Sequence, residues 1–425
     1  MSVYIDKIAE LVREFYAEQA RTARSDGRIR LSAPAFDDRE AMNAIRTILG
    51  GWISQGPNVQ EFERRFAGYV GVAHGVAVNS GSSANLIALH ALRRRLGLED
   101  GDEVIVPATT FATVAMPVLQ VGLTPVYVDV DRHTLNIAPE AVDAAVTART
   151  RVIMPVHTLG FPAEMNALAA IAARRRLTIF EDCCEAHGSA LNGRKVGSFG
   201  LLSSFSFFVA HNMTTGEGGM VVTDDADLAE ECRSLREFGR LDPVRHAGRY
   251  YSDDRLHDYD RRYVFSRVGY NLRMTDVAAA FGLEQLAKLD AMNERRRANA
   301  ALLRELLIRD AAGVLAVPQI ADGAHHTYYT FPMVLAADLP FSRREFCEHL
   351  ESEGIETRPL FGGCLPDQPA FRGVPGRIDG DLVEARFLRD HALFVGIHPA
   401  LGEGDMRRIA TVIQGFVHER GVGRR

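Results

Sequence analysis

Residues 75–130 read GVAVNSGSSANLIALHALRRRLGLEDGDEVIVPATTFATVAMPVLQVGLTPVYVDV. Three short β-branched runs, GVAVNS (75–80), DEVIVP (102–107) and TPVYVDV (124–130), read as buried strands. Between them, SANLIALHALRRRL and FATVAMPVLQVG carry apolar residues at helical spacing. Such alternation builds βαβ units around a mostly parallel sheet with helices on both faces. The pattern continues through RVIMPV (151–156), LTIFED (177–182), SSFSFF (203–208) and GGMVVTD (218–224), with APEAVDAAVTA, AEMNALAAIAARRR and DLAEECRSLREFG as further helices. The prediction is an α/β protein: a helical extension and lead-in at 1–49, a large α/β domain at 50–294, and a smaller C-terminal α/β domain at 295–425. In the last unit TYYTFPMVL, IETRPLF and ALFVGIHP read as strands, and FSRREFCEHLES and EGDMRRIATVIQGFVHE as helices. The stretch from Phe238 to Tyr270, rich in Arg, Asp, Tyr and Gly, has little periodicity and reads as a long excursion.

The 425 residues are 47% hydrophobic and 24% charged, an ordinary globular composition with room for two or three domains. A formal net charge of −6 argues against nucleic acid or an anionic membrane as the main partner. Five scattered cysteines without a CxxC predict neither a disulfide framework nor a self-contained zinc site. The N-terminus is an amphipathic helix pattern rather than an export signal, and no apolar run reaches the ~18 residues of a membrane span, so a cytoplasmic protein is expected. Of 49 basic residues only Lys7, Lys195 and Lys288 are lysine, so any mechanism that needs one has three candidates.

In an open parallel sheet, ligands collect beyond the carboxyl ends of strands. Asn79-Ser80-Gly81-Ser82-Ser83-Ala84-Asn85 follows the first strand and opens a helix, which makes either an anion site or an ordinary N-cap. Phe111 follows the second strand, where an aromatic ring can cover a planar ligand or simply join the core. Asp182 ends LTIFED; a buried carboxylate there needs a donor, which a protonated pyridine nitrogen, neighbouring amides or an arginine would each supply.

Phe205–Met220 (FSFFVAHNMTTGEGGM), taken with NSGSSAN, TTFAT and EDCCEAHGS in this order and spacing, closely resembles the DegT/DnrJ/StrS family of nucleotide-sugar aminotransferases. The resemblance extends over GYNLRMTDVAAA (269–280), RPLFGG (358–363) and GIHPAL (396–401). It implies pyridoxal phosphate fold type I, the aspartate aminotransferase-like architecture. It further implies that Asp182 pairs with the pyridinium nitrogen, that Glu185 lies near the ring 3-hydroxyl, and that Phe111 stacks on the ring. Ser82, Ser83 and Ser206 would bind the phosphate. Asn271 would reach it from the neighbouring subunit, which implies a homodimer with shared active sites. His157 and Arg358 are candidates for contacts to substrate or amino donor, or for structural roles.

Aminotransferases of this family carry the Schiff-base lysine in the pattern Ser-Phe-x-x-x-Lys-Asn, and here His211 stands in its place. The expected cofactor is therefore non-covalent pyridoxamine phosphate or pyridoxal phosphate. The exchange resembles a small branch that deoxygenates sugars at carbon 3, the CDP-4-keto-6-deoxyglucose 3-dehydrase and the GDP-4-keto-6-deoxymannose 3-dehydratase. KIAELVREFYAEQA, Val156-His157-Thr158-Leu159-Gly160 and Ala210-His211 look like the CDP-sugar enzyme in particular. In that chemistry His211 would take a proton near neutral pH, an ordinary imidazole titrating at about 6.5. The substrate implied is a nucleotide-linked 4-keto sugar, with L-glutamate as amino donor. The CDP-sugar enzyme also holds a [2Fe-2S] cluster on four cysteines. Cys184 matches the first, but the other three positions fall near Asp242, Val244 and Ser252, and no cysteine lies between Cys232 and Cys347. No iron–sulfur cluster or other metal is expected. The alternatives are a related transamination or elimination on another keto sugar or an aminocyclitol, and a non-catalytic cofactor-binding partner of an active paralogue.

Borohydride reduction in the presence of pyridoxal phosphate should leave the intact mass of the chain unchanged. An adduct on Lys7, Lys195 or Lys288 would mean a relocated Schiff-base lysine.

Overall fold

The computed structural model describes residues 3–22, 27–33, 35–241, 259–311 and 313–422. Strands β1 (His74–Val78), β2 (Glu103–Pro107), β3 (Thr124–Val128), β4 (Thr150–Ile153), β5 (Thr178–Asp182), β6 (Leu202–Ser206) and β7 (Gly219–Thr223) form one sheet. Their order is β1-β7-β6-β5-β4-β2-β3, with Arg377–Ile378 added at the β3 edge. Only β7 runs antiparallel to its neighbours, so the carboxyl ends of the other strands share one edge. Val104 and Val106 pack on one face with α4 (Gly81–Leu96) and α5 (Ala112–Gln120), while Ile105 packs on the other with α6 (Pro139–Ala145) and α7 (Met165–Arg175). Burial on both faces explains why these strands are apolar throughout. Helix α3 (Pro57–Val70) covers β1, β6 and β7 through Phe62 and Phe66, and α8 (Ala226–Arg236) packs in the same core as α4.

The smaller sheet is antiparallel throughout: β10 (Ala392–Val395) lies between β8 (Phe331–Leu335) and β9 (Thr357–Pro359), and Leu315–Ala316 pairs on the outer side of β8. Helices α10 (Arg343–Ser352), α11 (Val383–His391) and α12 (Glu403–Glu419) accompany it.

The strands form where the sequence places them, within a few residues. The regular strand in RVIMPV ends at Ile153, and since Pro155 has no amide hydrogen the run then keeps contact with β5 through the Pro155 carbonyl, which accepts from the Asp182 amide at 2.9 Å, and a bridge from Val156 to Asp182. TYYTFPMVL enters its strand only at Phe331, since Tyr328 takes a left-handed φ of 50°. The expected division at 294/295 falls inside one continuous helix, α9 (Asp276–Asp310). Two further segments tie the units: Arg377–Ile378 pairs in parallel with Val126 and Tyr127, and Ala324–His325 pairs with Ala190–Leu191. Arg377 donates to Glu103 (3.1 Å) and to the Ala145 carbonyl (2.6 Å), which closes an otherwise open sheet edge. Glu237 bridges Asn271 at the base of the expected excursion, and Arg240 bridges Phe265 within it. Asp242, Val244 and Ser252 lie outside the described residues. No helix among the described residues is long and apolar enough to cross a membrane.

Two N-terminal helices, α1 (Val3–Thr22) and α2 (Asp38–Leu49), precede α3. The second is locked by Glu40, fully buried, which accepts from the Asp37 amide (2.9 Å), Gln285 (2.7 Å) and Lys288 (2.6 Å). Lys288→Met would leave that carboxylate without its cation. Removing one partner of a buried pair costs about 3–5 kcal/mol, so a clear drop in the urea midpoint is expected.

Candidate active site

The carboxyl ends of β1, β2, β5 and β6 open on a cavity of about 510 Å³. Ser80 caps α4, its hydroxyl accepting from the Ser83 amide at 3.1 Å, so the free amides of that helix start face the cavity beside Ser82 and Ser206. The turn is tight: a Cβ on Gly81 would lie 2.5 Å from the Ser206 Cβ. After β2 the chain presents Thr110, whose buried hydroxyl has no protein partner, and Phe111, 58% exposed on the cavity wall.

At the end of β5, neighbouring carboxylates face opposite ways. Glu181 is fully buried and receives Gly197 N (2.8 Å), Phe199 N (2.7 Å), Gly200 N (2.6 Å), Ser203 Oγ (3.2 Å) and His157 Nε2 (3.0 Å). Burial alone would raise its pKa, but the His157 bond and the backbone amides outweigh that and hold it below the ordinary value. Asp182 lines the cavity and accepts from Asn85 Nδ2 (2.8 Å) and Cys184 N (3.0 Å). Two donors leave this carboxylate with acceptor capacity for a cation or N–H in the cavity.

His211, half-buried, lines the same cavity, and its Nδ1 has no hydrogen-bond partner. Burial, with Arg296 second, pushes its pKa down to about 3, so the imidazole is neutral rather than titrating near neutrality as the sequence suggests. Glu185 goes the other way. Burial first, and the charge of Asp182, raise it to about 8 although the Leu159 amide donates to it at 2.8 Å. The cavity therefore holds a neutral base, a neutral acid and one carboxylate poised for a cation.

The structure brings Ser82, Phe111, Asp182, Glu185, Ser206, His211 and Arg358 to one cavity. It does not bring the other three. Ser83 Oγ donates to Asn79 Oδ1 at 2.7 Å and serves the helix cap. Asn271 is exposed and does not line the cavity. Of the two roles open to His157, the structure places it in the structural one: it is fully buried, Nδ1 accepts from the Ala163 amide (3.0 Å) and Nε2 is engaged by Glu181. No lysine lines the cavity: Lys7 lies on α1, Lys195 donates to the Tyr69 carbonyl, and Lys288 is held by Glu40. Sequence reasoning missed Tyr329, Glu217 and Phe208 on the wall, and Arg296 behind it. Tyr329 sits inside a run that reads simply as strand, and its spacing carries no signal of the turn that delivers it.

Residues 35–414 match the DegT/DnrJ/EryC1/StrS aminotransferase family. The chain is 38% identical over 426 residues to a dTDP-4-dehydro-2,6-dideoxy-D-glucose 3-dehydratase of Saccharopolyspora spinosa, covering 97% of this chain and 92% of that protein. Among solved structures, an E. coli GDP-4-keto-6-deoxy-D-mannose-3-dehydratase with bound hydrated PLP superposes with a TM-score of 0.83 at 30% identity, over 91% of this chain and 99% of that one. A GDP-4-keto-6-deoxymannose-3-dehydratase with a trapped PLP-glutamate geminal diamine gives a TM-score of 0.84 at 29% identity, over 91% and 100%.

The raised pKa of Glu185 carries a signed consequence for the cofactor-free protein. Folding stability is full below the ordinary value of 4.5 and falls as pH rises through about 8. Glu185→Gln removes that cost, so its melting temperature should exceed wild type at pH 9 by at least about 2 °C more than at pH 5.

Proposed function

The chain belongs to the DegT/DnrJ/EryC1/StrS aminotransferase family, and we propose that within it the protein is a pyridoxamine/pyridoxal phosphate-dependent nucleotide-sugar 3-dehydratase acting on a 4-keto-6-deoxy sugar. The observation that carries this is His211 in the lysine's place, on a cavity that no lysine reaches. A transaminase that rests on an enzyme-bound Schiff base would find no amine there.

The residues fit a pyridoxamine phosphate. The helix start with Ser82 and Ser206 suits the phosphate, Asp182 has acceptor capacity for a ring N–H, and Phe111 offers a flat apolar face. When bound, the cofactor supplies an amine that condenses with the sugar ketone and a pyridinium ring that withdraws electrons. Asp182 keeps that ring nitrogen protonated by pairing with it. Glu185, neutral at working pH, donates a hydrogen bond toward the ring oxygen. His211, neutral and unpartnered at Nδ1, accepts the proton released beside the ring. An imidazolium so strongly disfavoured by burial is a strong acid, suited to return a proton as the C3 hydroxyl departs. Phe111, Phe361 and Phe394 keep the cavity wall apolar, which limits water at the reacting carbon. Arg358, beside the cavity on β9, would hold the carboxylate of L-glutamate when the amine is recharged.

The assembly is proposed as a homodimer with shared sites. Supporting it, Asn271 stands outside its own cavity, and Trp52, Phe208, Phe265 and Val268 are large apolar side chains left exposed in one protomer. Sedimentation at micromolar concentration should give twice the chain mass.

The purified protein, loaded with cofactor and L-glutamate, should remove water from dTDP- or GDP-linked 4-keto-6-deoxy sugars, read by mass spectrometry. His211→Asn should keep its cofactor yet lose about 10²–10⁴-fold in kcat. Normal turnover by that variant would overturn the mechanism.

A further inference from the structure

We infer that Tyr329 is a further catalytic residue, its phenol carrying a proton from His211 to the hydroxyl that leaves the sugar. This rests on the dehydratase reading above. Tyr329 lines the same cavity, and its ring lies 5.3 Å from the imidazole of His211, tilted by 42°. Glu185 lies on the same wall. Among the described residues no hydrogen bond engages its hydroxyl, which leaves that group for what enters the cavity.

Its backbone is held with unusual care. The Tyr329 amide donates to the Leu159 carbonyl at 3.0 Å, and the Leu159 amide in turn donates to Glu185 at 2.8 Å. Buried Arg296 donates to the Tyr329 carbonyl at 2.9 Å and to the Tyr328 carbonyl at 3.4 Å. Leu159 and Tyr328 both take left-handed φ, 53° and 50°, where large side chains are outliers. Gly160 lets these turns meet, since a Cβ there would lie 3.0 Å from the Tyr328 amide. Backbone strain of this kind persists where surrounding structure enforces it, and it clusters at functional sites. Here two strained turns, joined by one hydrogen bond, aim Glu185 and Tyr329 into one cavity.

The step balances. His211 takes the proton beside the cofactor ring, and the electron pair it leaves forms the new double bond as the C3–O bond breaks. The departing oxygen keeps its bonding pair, takes the phenolic proton and leaves as water. The Tyr329 oxygen then takes the proton from His211, and both groups return to their starting state with no oxidant or reductant.

Tyr329→Phe keeps the ring and removes the relay. Expected are a fall in kcat of about 10²-fold or more, a sugar-nucleotide KM within twofold of wild type, and cofactor affinity by absorbance titration and melting temperature unchanged. A kcat within twofold of wild type would overturn the relay, and so would a loss confined to cofactor affinity or melting temperature. Should that variant misfold, 3,5-difluorotyrosine at 329 alters phenol acidity at nearly constant shape, and an unchanged pH profile of kcat would also overturn it. Wild type is assayed first: if it dehydrates no 4-keto sugar nucleotide, the parent reading fails and the relay with it.

Discussion

The buried carboxylate of Glu181 organises the site without touching it. A charge in this position, fully removed from water, is tolerable only because three backbone amides, the Ser203 hydroxyl and His157 converge on it. Those donors come from the 197–203 turn and from the end of the RVIMPV run, so one side chain joins β5 to the segments that flank it in the sheet. Since successive strand residues point to opposite faces, locking Glu181 locks Asp182 toward the cavity. His157, Glu181 and Cys183 bring ligand-type atoms within 4.8 Å of one another. The ring nitrogens of His157 and the oxygens of Glu181 are already engaged in hydrogen bonds, and burial first, with the neighbouring carboxylates, raises the Cys183 thiol well above its ordinary pKa. The cluster is a hydrogen-bonded joint rather than a metal centre.

On the cavity side the same burial inverts ordinary acid–base character. A histidine becomes neutral and a glutamate holds its proton, both chiefly because charged forms lose hydration there. Beyond burial, Arg296 adds a buried positive charge that disfavours a second cation on His211, His187 and His398. Asp182 remains the group whose unsatisfied acceptor capacity calls for a cationic partner. A cavity so arranged favours a ligand with an anionic end at the α4 start and a protonated ring nitrogen at Asp182.

Most of the scaffold was legible from residue patterns. Strands buried on both faces are apolar throughout, and helices between them repeat near 3.6, so elements and their order can be read locally. The turn that holds Ser82, with Phe111 and Asp182, was legible too, because connectivity fixes where residues after strand ends fall in a parallel sheet, while Glu185 and Ser206 were named through the resemblance to the family. For His157 and Ser83 the sequence leaves a site role and a structural role open, and the fold commits their hydrogen bonds to the structural one, since partners at a distance leave no mark on spacing. Arg296 and Tyr329 were missed because one lies in a long helix and the other beside a strained turn.

By itself, then, the sequence determined the element order, the parallel sheet, the substitution of His211 for a lysine and the shortage of other lysines to take its place. The element order, the sheet and the lysine count are properties of composition and local pattern, whereas His211 reads as a replacement only through the resemblance to the family. Only the tertiary structure decided that Lys195 and Lys288 are tied down away from the cavity, that His157 is a brace, and that Leu159 carries Glu185 and Tyr329 on one backbone link. It also decided the protonation states of His211 and Glu185, because desolvation depends on everything packed around a group, and the chain assembles that surround from segments more than a hundred residues apart.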